Sequence, residues 1–429
     1  MAGNSERVGA VVSMRSMGEL LVFDPKGPID AARVGAFAST LDDARHVADT
    51  LIQLGFEITN FHPMAISFSG TPADFRDSFG VTLQKSSKPG GRGRSIDVFA
   101  PDADHAPRLL HLPEAFEGRA DGVAIACPPK LIDDTSLPVR GVQDDDRPGR
   151  CLPDELAMSI WGNGLVSLDA TGDGIVAALI STGHYRHRFF AERRYRVLPT
   201  LLGPGQRGSL QDEHGHGTGE AACLFAAAPN VRLRPIKGLL DPVGDMLLTI
   251  DSRPKPNLIV NSWGYDIDQA SWDQLKADDL NLHNYLRLLE AAVAYAAAQG
   301  IVVASAAPRT WQSFPTSHPD VIAIGASIAT IANEMAAMDG ACEFDETVAV
   351  SGLYPGRHVP DFWSQAGDED DVGLDRSFTQ PAQPGSILDK MGLVDAEVLD
   401  EGWAWCDLDQ ASFPLAASMI AVLLERYRG

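Results

Sequence analysis

The stretch Asp212-Glu213-His214-Gly215-His216-Gly217-Thr218 sets a histidine between two glycines, directly ahead of a run that can coil into a helix. This constrains the fold more than any other segment. The glycines let the backbone pack closely where the helix begins, and the His216 ring then projects from the first turn. An imidazole used in this way needs an anion on its far nitrogen and a nucleophile on its near one. Upstream, Asp173 to Ile180 reads as a buried strand that runs into Ser181-Thr182-Gly183. Downstream, Ser412 stands just before an apolar helix, Leu415 to Leu424. Taken alone, such a serine is equally a helix N-cap.

Further segments follow in a fixed order. Leu258-Ile259-Val260-Asn261-Ser262-Trp263-Gly264 is an apolar strand ending in Ser-x-Gly. Gly300 to Arg309 is a second strand, with Phe314-Pro315 after it. His318 to Ala326 is a third, and Tyr354-Pro355-Gly356 opens a turn. Collinear with the Gly-His-Gly-Thr run, these pieces resemble the subtilases, serine peptidases with an Asp-His-Ser triad, over roughly residues 150 to 429. The resemblance implies an α/β, subtilisin-like parallel-sheet domain of three layers. It implies triad positions at Ser181, His216 and Ser412, an oxyanion position at Arg309, and a substrate-binding strand at Ser262, Trp263 and Gly264.

The catalytic parts are the least faithful. Ser181 stands where the family has aspartate, and a hydroxyl carries no charge. Losing that anion typically costs about 10⁴ in turnover. Arg309 replaces the oxyanion asparagine, whose loss costs about 10²–10³, and Pro308 replaces the preceding glycine. Gln410-Ala411 replaces Gly-Thr before the serine, and Pro414 is displaced from the usual proline position, held here by Ala416. The expected protein is therefore a pseudopeptidase that binds a peptide or protein partner by strand addition beside Ser262-Trp263-Gly264, an active subtilase being one candidate partner. The alternative is an active serine endopeptidase working through Ser412 and His216 with a non-standard acid. Glu220 lies one helical turn after His216 but is rotated roughly 40° from its face, which leaves its reach open. Asp212 is expected to cap the helix. Trp263 is equally a pocket wall or a core residue. His214-x-His216 lacks a third ligand nearby, so no metal or cofactor is expected; calcium enters only through the family resemblance, and no spaced oxygen-ligand pattern supports it.

The N-terminal third reads differently. Val34 to Phe56 has helical periodicity. Glu57 to Phe61 and Met64 to Gly70 alternate as strands, and Thr71-Pro72 opens a short helix with Thr71 as cap. The segment Ile66 to Gly80 resembles the prodomain of sedolisin-type peptidases, which implies a smaller α+β (ferredoxin-like) prodomain that caps the active-site cleft. Ser86 to Arg94 reads as a flexible loop. Asp133 to Arg150, rich in Asp, Pro, Arg and Gly, reads as a linker, dividing the chain into residues 1–132, a linker 133–150 and residues 151–429.

With 429 residues, the chain can bury two cores. Its net charge of −23 argues against a nucleic-acid partner. No apolar run is long enough to cross a membrane, and the N-terminus lacks an apolar signal core. Five scattered cysteines fit neither a disulfide framework nor a zinc site and suit a reducing cytoplasm, with Cys223 buried. Tyr185 to Arg196 is basic and aromatic, either a docking site for an acidic peptide or a solvated loop. The acidic runs at 368–371 and 389–401 read as solvated loops.

Overall fold

The computed structural model describes residues 6–427 except 19, 91–94, 103–109, 111, 133–168, 268–269, 309–311, 331–342, 345–347, 367–377, 392–401 and 407. The linker 133–150, Arg309 and the acidic run 368–371 lie outside the described residues, as does most of 389–401.

Four strands form the N-terminal sheet: β1 (Val8–Met14), β2 (Glu57–His62), β3 (Ala65–Gly70) and β6 (Ala120–Ile125), in the order β2-β3-β1-β6. Neighbours are antiparallel throughout. Helix Leu41–Gln53 joins β1 to β2, and helix Pro72–Phe79 follows β3, giving the β-α-β-β-α-β order of a ferredoxin-like sandwich. The second helix begins as its sequence dictates. The Thr71 hydroxyl accepts from Asp74 N–H, Asp74 reaches back to Thr71 N–H, and Pro72 opens the first turn.

Two expectations for this region are corrected. The helical periodicity of Val34 to Phe56 is interrupted, because Thr40 is extended and caps Leu41–Gln53 by accepting from Asp43 N–H at 3.0 Å. Residues Val34–Phe37 form a separate 3₁₀ turn. The loop expected from Ser86 is instead strand through Pro89: β4 (Leu83–Pro89) pairs in register with β5 (Ser95–Pro101). Lysine and serine on exposed strand faces hid the hairpin, since its apolar alternation is weak.

The larger unit is built on a nine-stranded sheet. Its centre runs Arg232–Lys237, Val176–Ser181 (β8), Leu258–Asn261, Val302–Ala307 and Val321–Thr330, all parallel. Among the described residues, only Glu343–Phe344 pairs antiparallel, at one edge. β8 is buried along its whole length, which explains its unbroken apolar run: both faces are covered. Alternate residues face opposite layers. Ala177, Leu179, Leu258, Val260 and Ala304 pack with Leu224, Phe225, Ala417 and Ile420 of the helices His216–Ala227 and Leu408–Arg426. Ala178, Ile180, Ile259 and Val303 pack with Leu247, Leu288 and Ala292 of the helices Pro242–Asp251 and Leu280–Ala298. The result is the three-layer arrangement expected of the sequence.

Candidate active site

Ligands of parallel sheets gather at the carboxyl ends of the strands. Here Ser181 is the last residue of β8, and Ser262 stands one residue past the adjacent strand Leu258–Asn261. The helix His216–Ala227 begins over the same edge. Gly215 is its N-cap with φ 100°, a left-handed conformation that glycine adopts without strain. Gly217 sits so close to β8 that an added Cβ would lie 2.4 Å from the Gly183 carbonyl oxygen. The motif glycines thus bring His216 down onto the end of β8.

Asp212 fixes the helix start, as expected. Its carboxylate accepts from Gly215 N–H, Thr218 N–H, the Thr218 hydroxyl and the Thr182 hydroxyl at 2.7 to 2.8 Å. Burial alone would raise this carboxyl, but the four donors outweigh it and hold it below the usual carboxylate range.

The acid is the main surprise. Glu220 Oε2 lies 3.0 Å from His216 Nδ1, with both side chains 1% exposed. The Ser181 hydroxyl donates to the same Oε2 at 2.7 Å and lies 3.1 Å from His216 Nδ1. The Ser262 hydroxyl donates to Oε1. The 40° offset does not prevent contact, because helical side chains lean toward the N-terminus and a residue four positions on covers the preceding turn. A carboxylate thus reaches the imidazole from the helix rather than from the strand end, and the Ser181 hydroxyl contacts both groups. The Ser181 proton is committed to Glu220, so Nδ1–H is the donor toward the carboxylate and serine oxygens.

Ser412 lies in the second turn of Leu408–Arg426, so it is not the N-cap that its sequence context also allowed. It is buried, its carbonyl accepts from the Ser364 hydroxyl at 2.9 Å, and its helix packs along the His216 helix.

The expected substrate strand divides its labour. Trp263 is fully buried, and its indole N–H donates to the Ile180 carbonyl at 3.1 Å. Its side chain is part of the core. The Ser262 side chain likewise serves Glu220. What this segment presents is backbone. Strand β7 (Lys130–Leu131) pairs antiparallel with it, Leu131 opposite Trp263 and Lys130 opposite Gly264. Ile132 N–H donates to the Ser262 carbonyl at 2.8 Å, and Leu131 N–H donates to the Gly90 carbonyl at 3.2 Å.

The basic, aromatic stretch is half core. Phe189 and Phe190 are buried, and Tyr195 stacks on Phe225 with ring centroids 4.4 Å apart. Burial pushes His184 and His187 down to about 4, so both are neutral near pH 7. Cys223 is buried as expected. Among the described residues no cluster of three or more His, Cys, Asp or Glu could hold a metal, and no helix is long and apolar enough to cross a membrane.

The fold is that of subtilisin-like serine proteases. The epidermin leader peptide processing serine protease of Staphylococcus aureus superposes with a TM-score of 0.51 at 12% identity, over 99% of this chain and 89% of that one. A serine-to-alanine mutant of the same enzyme gives 0.52 at 10% identity, over 98% and 90%. Fervidolysin from Fervidobacterium pennivorans gives 0.47 at 12% identity; the match takes in the whole of this chain but spans only 56% of fervidolysin. No family model and no curated protein matches in sequence. At these identities the likeness is one of fold.

Proposed function

We propose that the chain is a serine endopeptidase acting on extended peptides, with Ser412 as nucleophile, His216 as general base and Glu220 as the acid. The observation that carries this reading is the contact of Glu220 with His216 Nδ1. It supplies the anion whose absence from the strand end argued for a pseudopeptidase. With Nδ1–H held by the carboxylate, Nε2 is the basic nitrogen. In the proposed reaction Nε2 takes the Ser412 proton as Oγ attacks the scissile carbonyl, and the Glu220 charge stabilises the imidazolium that forms. Nε2 then returns the proton to the leaving amine, and water hydrolyses the acyl-enzyme by the same route in reverse. Ser181 and Ser262 act as positioning residues, since each hydroxyl fixes one oxygen of Glu220.

Peptide recognition follows from the pairing of Lys130–Ile132. A substrate segment adds as a strand to Trp263-Gly264 and donates its N–H to the Ser262 carbonyl, so affinity comes chiefly from main-chain hydrogen bonds. The processing of a leader peptide by the Staphylococcus enzyme accords with an extended peptide substrate.

The second reading, a binding protein that does not cleave, is favoured by one observation: the chain's own residues already fill the groove. Fluorophosphonate labelling of the purified protein separates the two. Modification of Ser412 that is abolished in Ser412→Ala and His216→Ala is expected of the peptidase. A folded protein that takes no label is not a peptidase of this kind.

A further inference from the structure

Residues 203–215 lead into His216 and contain neither helix nor strand. No backbone ladder fixes this segment, yet the ring at its end has to meet Glu220. Its anchors converge on Lys237 and Gly238, at the carboxyl end of the strand Arg232–Lys237. The Lys237 ammonium donates to the Ser209 carbonyl at 2.9 Å and to the Gln211 carbonyl at 2.8 Å, and it pairs with the Glu213 carboxylate. An ammonium has three donors, and here three acceptors on alternate residues of one segment meet them. The Lys237 side chain is 13% exposed, so these acceptors stand in for water. The Lys237 carbonyl accepts from Gly203 N–H at 2.8 Å, and the Gly238 carbonyl accepts from the Gln206 side-chain amide.

The same two residues hold the other half of the site. Lys237 stands opposite Ser181 in the parallel register, and Gly238 N–H donates to the Ser181 carbonyl at 3.0 Å. The Ser181 hydroxyl in turn fixes Glu220. One strand end therefore carries both the segment that delivers His216 and the serine that orients its carboxylate. The far side of the segment is held by backbone alone. From the first turn of the helix Ile387–Met391, Ile387 N–H donates to the Glu213 carbonyl at 3.1 Å and Leu388 N–H donates to the His214 carbonyl at 2.9 Å. A charged donor makes hydrogen bonds roughly twice as strong as a neutral one, so the ammonium is the stronger of the two holds. The Glu213 carboxylate is 56% exposed and adds little, since an ion pair facing water is screened. The two carbonyls carry the contact.

We propose that Lys237 is a positioning residue of the site: its ammonium ties the segment ahead of His216 to the strand end that carries Ser181, and so sets the angle at which the imidazole meets Glu220. Its three contacts fall on the histidine segment and not on the Trp263-Gly264 edge. Lys237 therefore governs the reacting geometry rather than peptide affinity. The effect on rate rests on Ser412 and His216 acting as proposed above; the placing of the imidazole does not.

Two measurements on the full chain test this. The first is proton NMR of the Nδ1 proton that His216 shares with Glu220, which resonates at low field, apart from the amides, and is assigned by its loss in His216→Ala. Lys237→Met keeps an apolar stem and removes the charge and the donors; it is expected to shift or broaden this resonance. Lys237→Arg keeps charge and donors and is expected to return it toward the parent position. The second is steady-state kinetics on an extended peptide. Lys237→Met is expected to lower kcat on the order of 100-fold, the cost of a misplaced catalytic group, with KM within about twofold of the parent. Lys237→Arg is expected to recover most of that loss. Should Lys237→Met fail to fold, Lys237→Gln is read by the same two measurements and is expected to move both in the same direction. A resonance that moves in a protein without activity upholds the positioning and sinks only the peptidase reading. A resonance unmoved in Lys237→Met overturns the proposal whatever happens to the rate, and so does an unchanged kcat when the parent is active. A parent with no low-field resonance lacks the shared proton that Lys237 would align, which overturns it as well.

Discussion

At the scale of residues, the Glu220 carboxylate is the junction of the site. The hydroxyls of Ser181 and Ser262 and the Nδ1 of His216 converge on its two oxygens. A carboxylate has lone pairs for all three, whereas a protonated or amidated group does not. Glu220→Gln keeps the shape but places an amide N–H against a donor. On the peptidase reading, kcat should fall about 10³–10⁴-fold with little change in KM, the penalty typical of a triad that loses its acid. Steady-state kinetics on an extended peptide checks this; an unchanged kcat would remove Glu220 from the mechanism. The sequence already displayed Glu220 at the right spacing. It could not display the lean of the side chain toward the helix N-terminus or the two serines from neighbouring strand ends, which fix where the carboxylate points.

Elements meet here by their ends. Two parallel strands stop beside each other at Ser181 and just short of Ser262, and a helix starts above them. The Gly-His-Gly-Thr run made that start legible, and Asp212 holds it with four hydrogen bonds. Asp212→Ala strands two hydroxyls and two N–H groups at once. It should cost about 3 kcal/mol of stability, above the usual 0.5–2 for a cap alone, because buried donors are left unpaired. Denaturant unfolding measures it, and a loss under about 1 kcal/mol would mean that water replaces the carboxylate. The serine helix was legible as apolar sequence but not in its start at Leu408, which moves Ser412 from cap to helix interior. The Lys130–Leu131 strand was invisible, since two residues carry no periodicity and only the waiting edge of Trp263-Gly264 makes them a strand.

At the scale of the whole molecule, two carboxyls, Asp241 and Asp245, are buried together in the larger unit. Asp241 caps the helix Pro242–Asp251 and accepts the Tyr285 hydroxyl at 2.7 Å. Asp245, one turn on, accepts from Leu239 N–H at 2.7 Å. Burial raises the Asp241 carboxyl and pushes that of Asp245 well above the ordinary value of 3.8. Above that value the unfolded chain releases the protons while the native chain keeps them. The stability they contribute is therefore complete at acid pH and declines as pH rises, by up to about tenfold in the folding equilibrium per pH unit per group. Asp245→Asn retains an acceptor for Leu239 and cannot ionise, so its stability relative to the parent should rise as pH increases above the ordinary carboxylate value of 3.8. Urea unfolding across that range tests the sign; parallel profiles would show that Asp245 does not hold its proton in the native state.

The sequence by itself determined the parallel three-layer fold, the ferredoxin-like sandwich before it, and the placing of His216 at a helix start. The first was legible through the collinear motifs that resemble the subtilases, and the other two rest on local signals: alternating strands, caps, and glycines that permit close approach. Only the tertiary structure decided which group faces the imidazole, that Trp263 is core, and that the Lys237 ammonium gathers the segment ahead of His216. Those outcomes depend on contacts between residues far apart in the chain, which no local period or propensity records.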